Sequence, residues 1–289
     1  MRVPGGRTRR QLLAQARIRG PAGAALARRH GHAREVVISL TSYPARIDVA
    51  WQALRSLLRQ SVRADRVVLV VYEGDFPDRR LPPRVEACRA EGLEVLWSPE
   101  NAPGHLKLLP VMAAYPDALI VTADDDTLYP RRWLAGLLRA NDQNPTAILA
   151  YRAHEIGVSD GQGLRPYKSW PYATAATPWQ RVFPTGVGGV LYPPGSLPHV
   201  AFDLDTALDL CPTADDVWFK AMSLLKGTPS LVVNDRKVNL VVVLRSQNET
   251  LMQVNVGRSA DGRSANDDQL ERTLTRFELW PRLLAANTS

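Results

Sequence analysis

The stretch Ala118-Leu119-Ile120-Val121-Thr122-Ala123-Asp124-Asp125-Asp126-Thr127-Leu128-Tyr129-Pro130 changes character abruptly. Its first five residues are an apolar run of strand length. Three adjacent carboxylates follow, and they repel one another unless solvent or a cation intervenes. The strand beneath them makes the backbone under the acids rigid. Residues one and three of such a turn, Asp124 and Asp126, can point together, and paired hard oxygens suit Mg2+ or Mn2+. The plainer alternative is an acidic surface turn capping a helix that begins at Trp133.

Upstream, Val36 to Leu40, Arg66 to Tyr72 and Leu93 to Trp97 are also β-rich. Between them, Val49 to Arg59, Pro82 to Glu91 and Leu106 to Tyr115 read as helices. The alternation predicts βαβ units, hence an α/β, Rossmann-like, mainly parallel sheet flanked by helices. Ligands of such sheets bind beyond the carboxyl ends of the strands. The loop Thr41 to Ile47 and the triple Asp therefore share one edge. Downstream, Trp133 to Asn141 is a helix and Ala147 to Arg152 a strand. Residues 157 to 189, rich in Gly, Pro, Trp and Tyr, suggest a long shaped loop. Thr213-Ala214-Asp215-Asp216 opens a helix through Leu225, with Gly227 past its end. A strand over Val238 to Leu244, a polar stretch from Ser246 to Asp268 and a helix around Leu270 to Leu284 complete the chain. There is no internal repeat.

Residues 1 to 34 carry nine arginines and no acid, which leaves the rest of this +7 chain at about −2. A basic extension (1–34) thus precedes one domain (35–289), whose halves, 35–130 and 131–289, both contribute to one site. A near-neutral body argues against nucleic-acid binding. The extension is either a solvated tail or a short amphipathic segment on an anionic membrane. No run approaches the roughly 20 apolar residues of a membrane span, and no secretory signal is evident. Two cysteines, Cys88 and Cys211, exclude a disulfide framework and fit a reducing cytoplasm. No His-x-x-x-His pair supports zinc hydrolase chemistry.

Four segments together resemble the GT-A glycosyltransferases. The strand ending in Asp124-Asp125-Asp126 is similar to their Asp-x-Asp metal motif. Ile38-Ser39-Leu40-Thr41-Ser42-Tyr43-Pro44-Ala45-Arg46 resembles their nucleotide-binding start. Gly186-Val187-Gly188-Gly189-Val190-Leu191-Tyr192-Pro193-Pro194 looks like the Gly-rich lining of the sugar and acceptor pocket. Ala214-Asp215-Asp216-Val217-Trp218-Phe219 resembles the acidic helix start that supplies the base of inverting members. The set spans residues 36 to about 225 in the family's order and looks most like bacterial enzymes of cell-surface polysaccharide assembly.

The resemblance implies transfer of a sugar from a nucleoside diphosphate donor, UDP favoured, to a hydroxyl of a glycan or lipid-linked glycan. Asp124 and Asp126 would hold Mn2+ or Mg2+, with Asp125 between them on the nucleotide side. Asp216, or else Asp215, would be the base; either acid can instead serve as an N-cap. Thr41 and Ser42 can hydrogen-bond base or ribose, Tyr43 can stack on a base, and Arg46 can pair with phosphate; a plain turn with a solvated arginine is the alternative. Lys107, at a helix start where the dipole disfavours it, makes sense beside a bound anion. Gly188 and Gly189 can let backbone approach a ligand, or can mark a turn or bulge. Trp170, Tyr172 and Trp179 can stack on sugar rings, although core packing is the commoner role. Asn255 to Asp268 resembles a mobile lid, with Asn255 or Asp267 as a possible third metal ligand. Two rivals stand beside this function. A sugar-phosphate nucleotidyltransferase should open on a Gly-rich loop, and Thr41 to Arg46 has no glycine. A non-catalytic glycan-binding protein would use the acids for calcium or as a surface turn.

Overall fold

A computed structural model describes residues 18, 28–159, 163–233, 240–243 and 263–285. Its central sheet has seven strands: β1 (Val36–Thr41), β2 (Arg66–Tyr72), β3 (Leu93–Ser98), β4 (Leu119–Thr122), β5 (Ile148–Ala150), β6 (Val190–Tyr192) and β7 (Ser230–Val232). They lie in the order β7-β5-β6-β4-β1-β2-β3. Only β6 runs against its neighbours. The sheet is therefore mainly parallel, as the alternating pattern predicts.

Side-chain alternation divides the strands between two cores. Val37, Val68, Val70, Ile120 and Ile148 face one side. Val36, Ile38, Leu40, Val67, Leu69, Leu119 and Val121 face the other. Helices α1 (Pro44–Leu58), α2 (Pro83–Arg89) and α4 (Trp133–Gln143) cover the second face through residues such as Leu54, Val85 and Leu137. Helices α3 (Leu109–Ala114), α5 (Leu204–Leu210), α6 (Asp215–Lys226), α7 (Ala265–Arg276) and α8 (Trp280–Leu284) cover the first. Burial on both faces explains the continuous apolar runs.

The reversed strand β6 positions the site. The parallel strands β4 and β1 end at one edge of the sheet. Antiparallel β6 begins there, with Val190 opposite Thr122, so the glycines before it lie beside the acids after β4.

Several boundaries differ from the sequence pattern. Helix α1 starts five residues before Val49, because Pro44 occupies its first turn with φ already set. The segment expected as one helix from Leu106 is a 3-10 turn, His105–Lys107, followed by α3 at Leu109. Residues 157 to 189 hold short pairings, Val158–Ser159 with Gly163–Leu164 and Val182–Pro184 with Ala153–Glu155. Of the strand expected over Val238 to Leu244, the described part, Val241–Val242, pairs with Thr127–Leu128 outside the main sheet. The rest of it, and the lid segment from Asn255 to Gly262, lie outside the described residues. Chain order also begins before Glu35. Arg28–Arg29 pairs in parallel with Val62–Arg63. Ile18 is 4% exposed and packs with Leu128 and Val243, and its carbonyl accepts from Arg59. Among the described residues, no helix is long and apolar enough to cross a membrane.

Gly188 and Gly189 serve packing. A Cβ on Gly188 would lie 2.9 Å from that of Arg152. Gly189 has φ +84° and sits under Trp133, where a Cβ would lie 2.3 Å from Cζ2 of the indole. The Trp133 Nε1–H donates to the Gly188 carbonyl at 2.8 Å. Gly189→Ala should therefore add about 1–3 kcal/mol of overpacking to the roughly 1–3 kcal/mol strain of a side chain at φ +84°, ψ 138°, backbone that glycine alone adopts readily. Gly195, with φ +66° and open space around it, should cost only its own backbone strain as Gly195→Ala, and so less. Denaturant unfolding of both variants checks the ranking; equal losses would refute the Trp133 contact as the constraint.

Candidate active site

Five carboxylates gather at this edge from two segments. Asp124, Asp125 and Asp126 follow β4, while Asp215 and Asp216 form the first turn of α6. Two cations meet them. The Lys107 ammonium, buried, lies 2.7 Å from Asp215 Oδ2 and 3.4 Å from Asp124 Oδ1. The Arg46 guanidinium lies 2.5 Å from Asp125 Oδ1 and 2.6 Å from Asp126 Oδ2.

The two half-sites are built differently. On the β1 side, Asp125 turns inward and accepts from Ser42 Oγ at 2.5 Å. Burial pushes its carboxyl up to about 7, against the pull of Arg46 and Ser42. Asp125 and Ser42 are thus engaged with each other. Arg46, in the first turn of α1, is held by acids and is not a solvated side chain. Burial opposes its charge, but Asp125 and Asp126 outweigh that and raise its pKa. Tyr43, half-buried before α1, has its ring centroid 5.8 Å from the guanidinium. Thr41 ends β1 in register with Val70.

On the β6 side, the glycine that matters is Gly186. Its N–H donates to both carboxylate oxygens of Asp216, each at 3.1 Å. A Cβ there would come within 2.6 Å of Lys107 Nζ. Gly104, at φ +80°, similarly yields to Asp215, whose Oδ1 would lie 2.8 Å from a Cβ. Neither Asp215 nor Asp216 is an N-cap, since Ala214 holds that position and no side chain caps it. Burial opposes the charge of Lys107, yet Asp215, Asp124 and Asp216 together hold its pKa well above the ordinary value. Burial, with Asp215 alongside, pushes Asp216 up to about 7.

Asp124 and Asp126, the pair expected from the sequence to hold a cation, crowd each other's charge. Burial raises the pKa of Asp126, and the charge of Asp124 adds to it. Such like-charge crowding is what a bound cation relieves. The turn is pinned: the Asp124 N–H donates to Tyr129 Oη at 2.8 Å, and the Asp126 carbonyl accepts from Val243 N–H at 2.7 Å. Among the described residues, no group of three or more His, Cys, Asp or Glu is arranged to hold a metal. Asp267 is not a third ligand. It is 1% exposed, its Oδ2 accepts from Ser264 N–H and Oγ–H, and its Oδ1 accepts from Tyr167 N–H. Asn255 lies outside the described residues.

Sequence patterns alone did not single out Tyr129, which sits in the quoted motif, or Arg152 and Tyr167. Nor did they find Lys220, one turn along α6 from Asp216. Its ammonium is buried, donates to the Trp179 carbonyl at 3.1 Å, and is pushed down to about 7 by burial.

No protein-family model matches the chain, and no curated protein sequence matches it. Solved structures do overlay it. The mannosyltransferase PcManGT from Pyrobaculum calidifontis, in complex with GDP-Man and Mn2+, is 13% identical with a TM-score of 0.48, covering 95% of this chain and 79% of that one. The S. aureus TarS fragment in complex with UDP is 15% identical with a TM-score of 0.48, covering 84% and 71%. A 4-diphosphocytidyl-2C-methyl-D-erythritol synthase is 16% identical with a TM-score of 0.45, covering 74% and 95%. Overlays this distant say nothing of activity, so function has to be read from the site's residues.

The Asp216 carboxyl makes stability depend on pH. Its folded pKa of about 7 stands above the ordinary 3.8. Between about pH 4 and 7 the folded protein keeps a proton that the unfolded chain has released. Its contribution to stability therefore falls as pH rises through that window and is level above it. Asp216→Asn cannot ionise, so its unfolding free energy relative to the parent should climb from pH 4 to 7 and then hold. A pH-independent difference, measured by denaturant unfolding across that range, would contradict the assignment.

Proposed function

We propose that the chain is a metal-dependent glycosyltransferase, moving a sugar from a nucleoside diphosphate donor, UDP favoured, to a hydroxyl of a glycan or lipid-linked glycan. The observation that supports it is the convergence of the acid turn, Lys107, Gly186 and the Asp215–Asp216 helix start at the carboxyl edge of a mainly parallel sheet. These segments are far apart in sequence, and all but Lys107 belong to one of the resembling motifs.

In this reading Asp124 and Asp126 hold Mn2+ or Mg2+, with donor phosphates and water completing the shell. When bound, the cation neutralises charge on the leaving diphosphate. Lys107 offsets the repulsion among Asp124, Asp215 and Asp216 and supplies positive charge beside the donor. Tyr43 stands at the nucleotide end. Asp216 is the base: its carboxylate is oriented by the Gly186 N–H, and a pKa near 7 suits proton abstraction at neutral pH. Asp215, paired with Lys107, has the electrostatic role. Direct displacement with an Asp216 base gives inversion at the anomeric carbon. The basic extension would let the protein rest on an anionic membrane surface on the cytoplasmic side, near a lipid-linked acceptor.

The test is a donor screen that reads nucleoside diphosphate release with and without EDTA. Asp126→Ala should abolish turnover while the fold survives. Asp216→Asn should lower turnover by at least about 10²-fold, the lower range of general-base catalysis, with UDP still bound in the presence of Mn2+. Full activity in EDTA or in Asp126→Ala would overturn the metal role. Release of pyrophosphate from a nucleoside triphosphate and a sugar phosphate would make the chain a nucleotidyltransferase. Failure to bind UDP would leave a glycan-binding protein.

A further inference from the structure

Arg152 follows β5 at the edge that carries the candidate site. Its backbone is held from two sides. The carbonyl accepts from Thr185 N–H at 3.0 Å and from Thr185 Oγ at 3.3 Å, and the missing side chain of Gly188 makes room for its Cβ. The guanidinium carbon lies 5.8 Å from the ring centroid of Tyr172. Its Nε is shielded from solvent without a hydrogen-bond partner, and no described carboxylate pairs with it. A half-buried cation lacking a counter-ion is costly unless an anion arrives. Other half-buried arginines, Arg46, Arg55, Arg59, Arg66 and Arg181, all pair with acids.

Tyr172 is equally unusual. It is 65% exposed, the most exposed large aromatic among the described residues. It is nevertheless held in place. Its ring stacks on His154, with centroids 4.9 Å apart and planes at 19°, and a β-bridge joins the two backbones. A fixed, solvent-facing aromatic loses little entropy on receiving an apolar sugar face. His154 does not supply the charge, because burial and then Arg152 lower its pKa and keep it neutral.

Tyr167 connects this patch to the candidate base. Its phenol is pushed up to about 12 by burial first, then by the Asp216 charge, with Arg152 opposing. Thr185, which holds the Arg152 carbonyl, directly precedes Gly186, whose N–H donates to Asp216, so the patch adjoins the candidate base. Exposed Arg165 and Lys168 flank Tyr167 and add positive potential.

We propose that Arg152 and Tyr172 form an acceptor subsite for a sugar bearing an anionic group, carboxylate or phosphate. The sugar ring lies against Tyr172, the anion pairs with Arg152, and a hydroxyl of the same or the neighbouring sugar is presented towards Asp216. This rests on the glycosyl-transfer reading above for the role of the bound sugar, but the binding itself is independent of it.

The test measures binding by the full chain, by saturation-transfer NMR and titration, with UDP and Mn2+ present. The probes are a glucuronate-containing tetrasaccharide, its carboxyl-reduced counterpart, and a mannose disaccharide with and without a 6-phosphate. At least one charged probe should bind about tenfold or more tightly than its neutral counterpart, as one charge-assisted contact provides. Whichever pair shows the larger ratio identifies carboxylate or phosphate as the source. Arg152→Gln should bring that ratio close to one, Arg152→Lys should keep part of it, and Tyr172→Ala should weaken charged and neutral probes alike. Melting temperatures check that each variant folds. Equal binding of charged and neutral probes by the parent, no binding of either charged probe, or a ratio that survives in Arg152→Gln would overturn the proposal. UDP titration separates the two failures. A parent that binds UDP but ignores charge loses this subsite alone, whereas one that prefers acidic sugar but ignores UDP keeps the subsite and loses the donor.

Discussion

Crowded negative charge is the constraint on which this edge of the molecule depends. Asp124, Asp125, Asp126, Asp215 and Asp216 lie within reach of only two described cations, Lys107 and Arg46. Acids so placed are tolerable only if the backbone under them cannot move and each has a partner. The structure meets both conditions. Strand β4 is buried on both faces, Tyr129 and Val243 tie the turn, and Gly186 and Gly104 lack the side chains that would displace Lys107 and Asp215. The site is thus specified as much by missing Cβ atoms as by charged groups.

The reversal of β6 makes that packing possible. A seventh parallel strand in its position would begin at the opposite edge, and its lead-in glycines would lie far from the acids. Running antiparallel, β6 brings Gly186 to Asp216 and Gly188 to both Trp133 and Arg152. One choice of strand direction therefore joins the acid turn, the α6 start and the β5 exit.

The central sheet was legible because each strand is buried on both faces and reads as an apolar run: Val36 to Leu40, Arg66 to Tyr72, Leu93 to Trp97 and Leu119 to Thr122 all lie where composition puts them. What composition lacks is strand direction and the partner of each polar group. Residues 157 to 189 read as a loop because their strands are two or three residues long, below any periodicity. The start of α1 was missed because Tyr43-Pro44 marks a turn and a helical first position equally well. Asp215 and Asp216 read equally as a base or as caps, and only the fold shows Lys107 and the Gly186 N–H as their partners. The three glycines of the Gly-rich segment look equivalent in sequence, and three different neighbours, Lys107, Arg152 and Trp133, give them different jobs. Arg152 and Tyr167 carried no signal at all, since an isolated arginine or tyrosine becomes informative only when its surroundings are known.

Arg46 shows how the charges divide the work. A phosphate-binding arginine needs its fork free, yet Arg46 already contacts Asp125 and Asp126 through one nitrogen. Moving it to a diphosphate would strip the counter-ion from a buried Asp125, and that loss would offset the new contact. Arg46 is therefore better suited to holding the acid turn in shape than to binding donor. Lys107 differs. Its ammonium contacts Asp215 closely and Asp124 only at 3.4 Å. A cation at Asp124 and Asp126 would relieve the same repulsion from the other side. Under the proposed function, Lys107 and the cation would meet the donor's diphosphate while Arg46 holds the acid turn in register.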